Sequence, residues 1–261
     1  MSTTPETTQG PDRGADLLER LTRVRTRISA ATLAAGRDAE PELIVVTKFF
    51  PASDVVLLSS MGVRQVGENR DQEASLKAAE TRAQGIALDW NFIGQLQSNK
   101  AKSVVRYAAT VQSVDRPALV AALDNAMDRE IGRRTEQGLP ERKPMNVLIQ
   151  LDLREDPSVP EEGTGFGRGG ADPATMLDLA ASIASTRHLR LRGLMAVAPL
   201  GTDPVPAFAK LMELSGQLRV EYPEAGVVSA GMSQDLEAAV AAGATHLRIG
   251  SDVLGPRPGL L

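Results

Sequence analysis

The chain has 261 residues, with 29 basic against 33 acidic side chains and a formal net charge of -4; it is long enough for one α/β barrel or two small domains, and it carries no basic patch of the kind nucleic acid requires. It has no cysteine and two widely separated histidines, His188 and His246, which excludes disulfides, thiolate zinc sites and cysteine nucleophiles and leaves no metal-ligand spacing. No run approaches the roughly 18 apolar residues of a membrane span, and the polar, Thr/Pro-containing start lacks the apolar stretch of a signal peptide, so a cytoplasmic protein without membrane or nucleic-acid partners is expected.

Residues 1–14 read as a flexible tail and 15–261 as one domain. Over 15–35, Leu17, Leu18, Leu21, Val24, Ile28 and Ala31 recur at helical spacing with arginines between them, and Gly36 ends the helix. From there strand-like and helical runs alternate, the mark of βα units around a parallel sheet. The spacing predicts strands at 43–48, 64–69, 90–94, 110–115, 146–153, 191–198, 227–232 and 246–251, with helices at 52–61, 71–83, 98–107, 117–137, 173–185, 205–220 and 234–242. Eight such units predict a single (β/α)8 barrel; an open doubly wound sheet is the alternative, disfavoured because no GxGxxG follows the first strand. Two stretches break the pattern: a charged connection at 136–144 and a long segment at 154–172 that holds glycines 163, 165, 167, 169 and 170. The second lacks a Walker lysine and reads as a lid or linker rather than a phosphate loop.

In such a barrel the site forms where the C-terminal ends of the strands meet. Lys48 closes the β-branched run that begins at Leu43 and shares parity with Ile44 and Val46, so it faces inward. A lysine at the end of a buried strand must find a partner or shed its proton, and the neutral amine is the form that attacks an aldehyde to give a Schiff base; a lysine reaching to the rim is the bland alternative. The seventh strand ends at Ser229-Ala230-Gly231-Met232-Ser233 and the eighth at Arg248-Ile249-Gly250-Ser251. Small residues there let backbone N–H groups approach phosphate oxygens, although Ser233 could equally cap the next helix. Along the eighth strand His246, Arg248 and Gly250 share the inward face, and an inward arginine is paired with a buried carboxylate or reserved for a ligand. An amine, a phosphate cup and an arginine around one barrel mouth together describe a site for pyridoxal 5'-phosphate. Trp90 reads as an anchor of the third strand against a helix, and the Ala-rich run 237–244 as close helix packing.

The strings Val46-Thr47-Lys48, Val66-Gly67-Glu68-Asn69, Trp90 to Lys100, Arg192-Gly193-Leu194-Met195, Gly231-Met232-Ser233-Gln234-Asp235 and Arg248-Ile249-Gly250-Ser251 resemble the pyridoxal phosphate homeostasis protein family, barrels similar to the N-terminal domain of alanine racemase. The resemblance implies that Lys48 holds the cofactor as a Schiff base, that Asn69 lines the pocket, that Ser229, Gly231, Met232, Ser233, Gly250 and Ser251 surround the phosphate, and that Arg248 faces the pyridine nitrogen. It also implies that the protein buffers and delivers the cofactor without substantial turnover, with apo enzymes as recipients, and a monomer is expected. The chain departs from the family's usual residues at Gln95, where histidine is frequent, and at Thr47, Ala230, Ser251 and Leu254.

A racemase-like enzyme and a Schiff-base aldolase are the competing readings. Racemisation needs acid/base groups on both faces of the substrate, and no appended domain is expected after the barrel to supply the second. An aldolase needs a proton shuttle, for which Glu68 and Asp152 are the candidates.

Overall fold

The computed structural model describes residues 12–154 and 169–256. Eight parallel strands close into a barrel in chain order, β1 (Glu42–Val46), β2 (Gln65–Glu68), β3 (Asp89–Phe92), β4 (Ala108–Val114), β5 (Met145–Leu151), β6 (Leu189–Ala196), β7 (Val227–Ser229) and β8 (His246–Ile249). Closure comes from β8 pairing with β1, Glu42 opposite His246 and Ile44 opposite Arg248. Helices alternate with the strands: α1 (Arg13–Ala34), α2 (Ala52–Ser60), α3 (Asp71–Ala83), α4 (Ala101–Val104), α5 (Pro117–Glu136), α6 (Met176–Ala184), α7 (Pro204–Glu221), α8 (Leu236–Ala242) and α9 (Ser251–Leu254). The expected barrel is therefore the fold. Among the described residues no helix is long and apolar enough to cross a membrane.

The strand period of two explains the layering. Val45, Val66, Val111, Val147, Ile149, Val228, Leu247 and Ile249 point outward and are buried beneath the helices, where Trp90 joins the same cluster. Ile44, Val46, Leu148 and Met195 are also buried but stand apart from that cluster, because they fill the barrel's interior. The interior is not purely aliphatic: the inward-facing Gln112, Gln150, Ser229 and Arg248 are buried there too.

All eight strands stop short of the expected C-terminal ends, β7 by three residues and the others by one or two. Lys48, Asn69, Gly94, Ala198, Met232 and Ser251 thus lie beyond their strands rather than in them. Past β6 and β7 the apolar run continues through Ala198 and Ala230, which are buried in the loops at the mouth. α1 starts at Arg13, two residues before the expected start, with the Asp12 carboxylate accepting the Gly14 N–H at 3.0 Å. α9 was not expected; four residues are too few for a periodic signal. Residues 1–11 of the expected tail, and most of the glycine-rich segment at 155–168, lie outside the described residues.

Candidate functional site

A cavity of about 520 Å³ opens at the C-terminal mouth of the barrel, within the size range of small-molecule sites. Lys48 and Phe49 line it from the β1 end, Ile93 from the β3 end, residues 198–202 from the β6 end, Met232, Ser233, Gln234 and Asp235 after β7, and Arg248, Gly250 and Ser251 at β8. Of the expected site residues, Lys48, Met232, Ser233, Arg248, Gly250 and Ser251 come together on its wall, whereas Asn69, Ser229 and Gly231 do not line it.

Lys48 is placed by a turn. The sheet ladder runs one residue past β1, with Thr47 N–H donating to Gly67 O at 3.0 Å, and the chain then folds back so that Phe50 N–H donates to Thr47 O at 3.1 Å. Phe49 sits at φ 72, the one non-glycine residue with positive φ among those described. This left-handed region is costly for an aromatic residue and persists only where neighbours enforce it. The Phe49 ring lies 5.9 Å from Lys48 Nζ and 4.9 Å from the Arg70 guanidinium, within cation–π range.

Arg248 is buried, and its guanidinium donates through Nη1 to Ser229 O and Ser229 Oγ, both at 2.7 Å, and through Nη2 to Ala196 O at 2.8 Å. It makes no ion pair among the described residues, so of the two fates open to an inward arginine the carboxylate partner is not the one taken. Burial lowers its pKa to about 10, with Asp235 opposing the shift; at neutral pH it remains a cation.

Ser229, by accepting from Arg248, must donate elsewhere, and it does so to Gln112 Oε1 at 2.7 Å. The chain of bonds continues from Gln112 Nε2 to Asn91 Oδ1 at 2.9 Å, from Asn91 Nδ2 to Gln65 Oε1 at 3.3 Å and from Gln65 Nε2 to Glu42 Oε2 at 3.2 Å. Every bond points the same way. A guanidinium can only donate and a carboxylate can only accept, so the two ends fix the orientation of all three amides between them. The relay crosses the barrel from its mouth to its floor, where Gln65, Asn91 and Gln112 border a smaller cavity of about 240 Å³ that also touches Arg192 and His246. Burial lowers the His246 pKa, a shift that Glu42 opposes and that Arg192 and Arg248 reinforce.

At the β7 and β8 ends the backbone is drawn close. Gly231 has φ 90, and a Cβ there would stand 2.5 Å from Ala239 Cβ and 2.8 Å from Leu247 Cδ2, so glycine is required by the turn and by its packing. Gly250 leaves the mouth open at a place where a Cβ would meet Val46 O at 3.3 Å. Ser251 Oγ donates to Ser233 Oγ at 3.2 Å, joining the two loops. Ser233 is not the cap of α8: Asp235 is the residue before the helix, and its Oδ1 accepts the Met232 N–H at 2.5 Å. Among the described residues the N–H groups of Ser233, Gln234, Ser251 and Asp252 have no acceptor.

The two acids considered as proton shuttles are elsewhere engaged. Glu68 is turned outward, under α3, where it accepts from Thr47 Oγ1 at 2.6 Å and from Lys77 Nζ at 2.9 Å; burial raises its pKa and Lys77 opposes the rise. Burial also pushes the Asp152 carboxyl up, but the hydrogen bonds and charge of Arg154 outweigh it and the net shift is downward. Asn69 lies beside the mouth with a buried Oδ1 that has no partner. The sequence reading missed Phe49, Ile93 and the 198–202 segment of the wall. Ala198-Pro199-Leu200-Gly201 follows a strand as the other mouth loops do, and its turn-forming Pro and Gly were a usable signal.

The family model for the alanine racemase N-terminal domain matches residues 21–258. The pyridoxal phosphate homeostasis protein of Mycobacterium leprae is 40% identical over 257 residues, covering 94% of each chain. The structure of PipY from Synechococcus elongatus with pyridoxal phosphate bound superposes with a TM-score of 0.72 at 30% identity, covering 92% of this chain and all of that one. Alanine racemase of Clostridium difficile superposes with a TM-score of 0.66 at 12% identity over 94% of this chain and 58% of the racemase, a likeness of fold alone.

Proposed function

The chain belongs to the pyridoxal phosphate homeostasis family of alanine racemase N-terminal-domain-like barrels, and from that premise we propose that it binds pyridoxal 5'-phosphate reversibly through Lys48 and acts as a carrier of the cofactor. The observation that carries the reading is that one cavity receives Lys48, a cationic arginine with no carboxylate partner, and two loop ends with uncommitted backbone N–H groups. The bare backbone at Gly250, on the wall of the same cavity, fits a group bound closely at this mouth.

When bound, the cofactor supplies an aldehyde electrophile and a phosphate dianion. Lys48 would hold the group through its aldehyde, for which its amine must be neutral. Ser233 and Ser251, with the neighbouring backbone N–H groups, hold the phosphate, and Met232 packs beside them. Gly231 shapes this loop without touching the cavity, and Ser229 serves the site by orienting Arg248. Arg248 would hold the ring nitrogen as a donor and keep its own proton, because its pKa of about 10 lies well above neutrality; a ring whose nitrogen stays unprotonated would be a weaker electron sink. Among the described residues of the cavity wall the other ionisable group is Asp235, and its carboxylate already holds the Met232 N–H. Racemisation needs a second acid/base group opposite Lys48, and Asp235, tied to the loop after β7, is the one such group on the described wall.

The test is direct. Protein loaded with pyridoxal phosphate should be yellow, should trap the label on Lys48 after borohydride reduction, and should restore activity to an apo pyridoxal-phosphate enzyme as it loses its own cofactor. L-Alanine incubated with it should keep its chirality. Label on Lys100 or Lys102 would overturn the lysine assignment, and racemisation at an ordinary enzymatic rate, on the order of 1–10³ s⁻¹, would make the protein an enzyme.

A further inference from the structure

We propose that Lys77, Glu68 and Glu73 form a clamp that sets the position of Lys48, so that Glu73 and Lys77 are positioning residues for covalent capture of the cofactor; this rests on the assignment of Lys48 as the residue that captures it. Three groups flank Lys48 in the chain, and all three end in this one cluster. Thr47 O accepts from Lys77 Nζ at 2.9 Å, Thr47 Oγ1 donates to Glu68 Oε1 at 2.6 Å, and Phe49 N–H donates to Glu73 Oε1 at 2.7 Å. Lys77 ties the two acids together, at 2.9 Å from Glu68 and 2.6 Å from Glu73.

Folding alone does not call for such a cluster. A buried ion pair gains little over apolar residues of the same volume, and this one leaves Glu68 Oε2 buried with no partner. What the cluster does provide is a fixed turn. Phe49 is held at φ 72, a conformation that an L-residue abandons unless its neighbours enforce it, and the bond from its own N–H to Glu73 is a local restraint on it. The turn decides where the Lys48 side chain leaves the backbone. The clamp lies on the outer side of the sheet, under α3, and none of its three ionic residues lines the cavity. It therefore acts on Lys48 through the backbone and not by contact with the bound molecule.

Glu73 is the residue to change, since its side chain is a quarter exposed while Glu68 and Lys77 are almost fully buried. Glu73→Ala removes the acceptor for Phe49 N–H; Glu73→Gln keeps an amide oxygen in its place. Two ligands separate position from general integrity: pyridoxal 5'-phosphate, which reports capture by Lys48, and pyridoxine 5'-phosphate, which has no aldehyde and reports the phosphate and ring contacts alone. Glu73→Ala should slow capture of pyridoxal phosphate by about tenfold, the scale of one lost hydrogen bond to a charged group, while binding pyridoxine phosphate within about twofold of the wild type on the same scale. Glu73→Gln should restore most of the capture rate. Equal capture rates in Glu73→Ala and the wild type, with the label on Lys48 in both, would overturn the clamp, and so would parallel loss of both ligands. Should Glu73→Ala fail to fold, Lys77→Arg, which keeps the charge but cannot place one nitrogen on all three acceptors, provides the same comparison with the same two ligands. If the wild type itself traps no label on Lys48, the assignment beneath the clamp fails first, and the two failures are told apart.

Discussion

Arg248 is a buried cation surrounded by three oxygens, none of them a carboxylate. Replacing it with methionine removes the donor of three interior hydrogen bonds, to Ser229 O, Ser229 Oγ and Ala196 O, as well as the donor offered to the ring nitrogen. Arg248→Met should therefore weaken pyridoxal phosphate binding by roughly 10- to 100-fold, the scale of a charged hydrogen bond, and also lower the melting temperature because Ser229 and Ala196 lose their donor; absorbance titration and thermal melting read the two separately. A large fall in stability with unchanged affinity would assign the residue to the core instead. Residues of this sort were legible where one strand's own period reveals them: Lys48 with Ile44 and Val46, and Arg248 with His246 and Gly250. Ser229 was legible as a small polar residue at the right strand end but not in its bonds, because its acceptor Gln112 is 117 positions away. Glu73 and Lys77 have no such strand period to reveal them, and only the register of α3 against the sheet brings them under Lys48.

At the scale of elements, the βα alternation was enough to fix the number and order of strands, since hydrophobic period and turn residues are local properties. Strand ends were not, because pairing is decided by the neighbouring strand. α5 shows what else a helix contributes. Glu130 is buried on it, bonded at 2.6 Å to Arg133 Nη2 and at 2.8 Å to Arg134 Nε, and these arginines, against the opposing effect of burial, lower its pKa to about 2. A carboxylate with a depressed folded pKa stabilises the fold above its unfolded value, and that stabilisation is lost as the pH falls through the folded one. The wild type should thus lose about 2 kcal/mol from this group between pH 4.5 and pH 2, the interval set by the two pKa values. Glu130→Gln should be less stable than the wild type at pH 7 and nearly equal to it at pH 2. Denaturant melts at the two pH values decide it, and an unchanged difference between the proteins at both would show that Glu130 contributes through packing and not through charge.

For the whole molecule, the barrel joins two faces that the chain visits in alternation. Its mouth carries the cavity, its floor carries Glu42 and Gln65, and the relay from Arg248 runs between them through the interior. Such a row of donors has a polarity, as a magnetised bar does, and it cannot be reversed at one place. Arg248→Glu alone would replace the first donor by an acceptor, and the amides could meet its need for a donor by rotating together until two acceptors faced each other at Glu42. Adding Glu42→Lys would supply the missing donor and let the entire row settle the other way round. The pair of substitutions, at opposite ends of the barrel, should therefore be less destabilising together than the sum of the two alone, by about 0.5–1 kcal/mol given that Glu42 is exposed to solvent. Additivity in that double-mutant cycle would mean that the interior amides adjust independently. Non-additivity across the full height of the barrel would make its floor a place from which the character of the mouth can be altered without any residue of the mouth being touched.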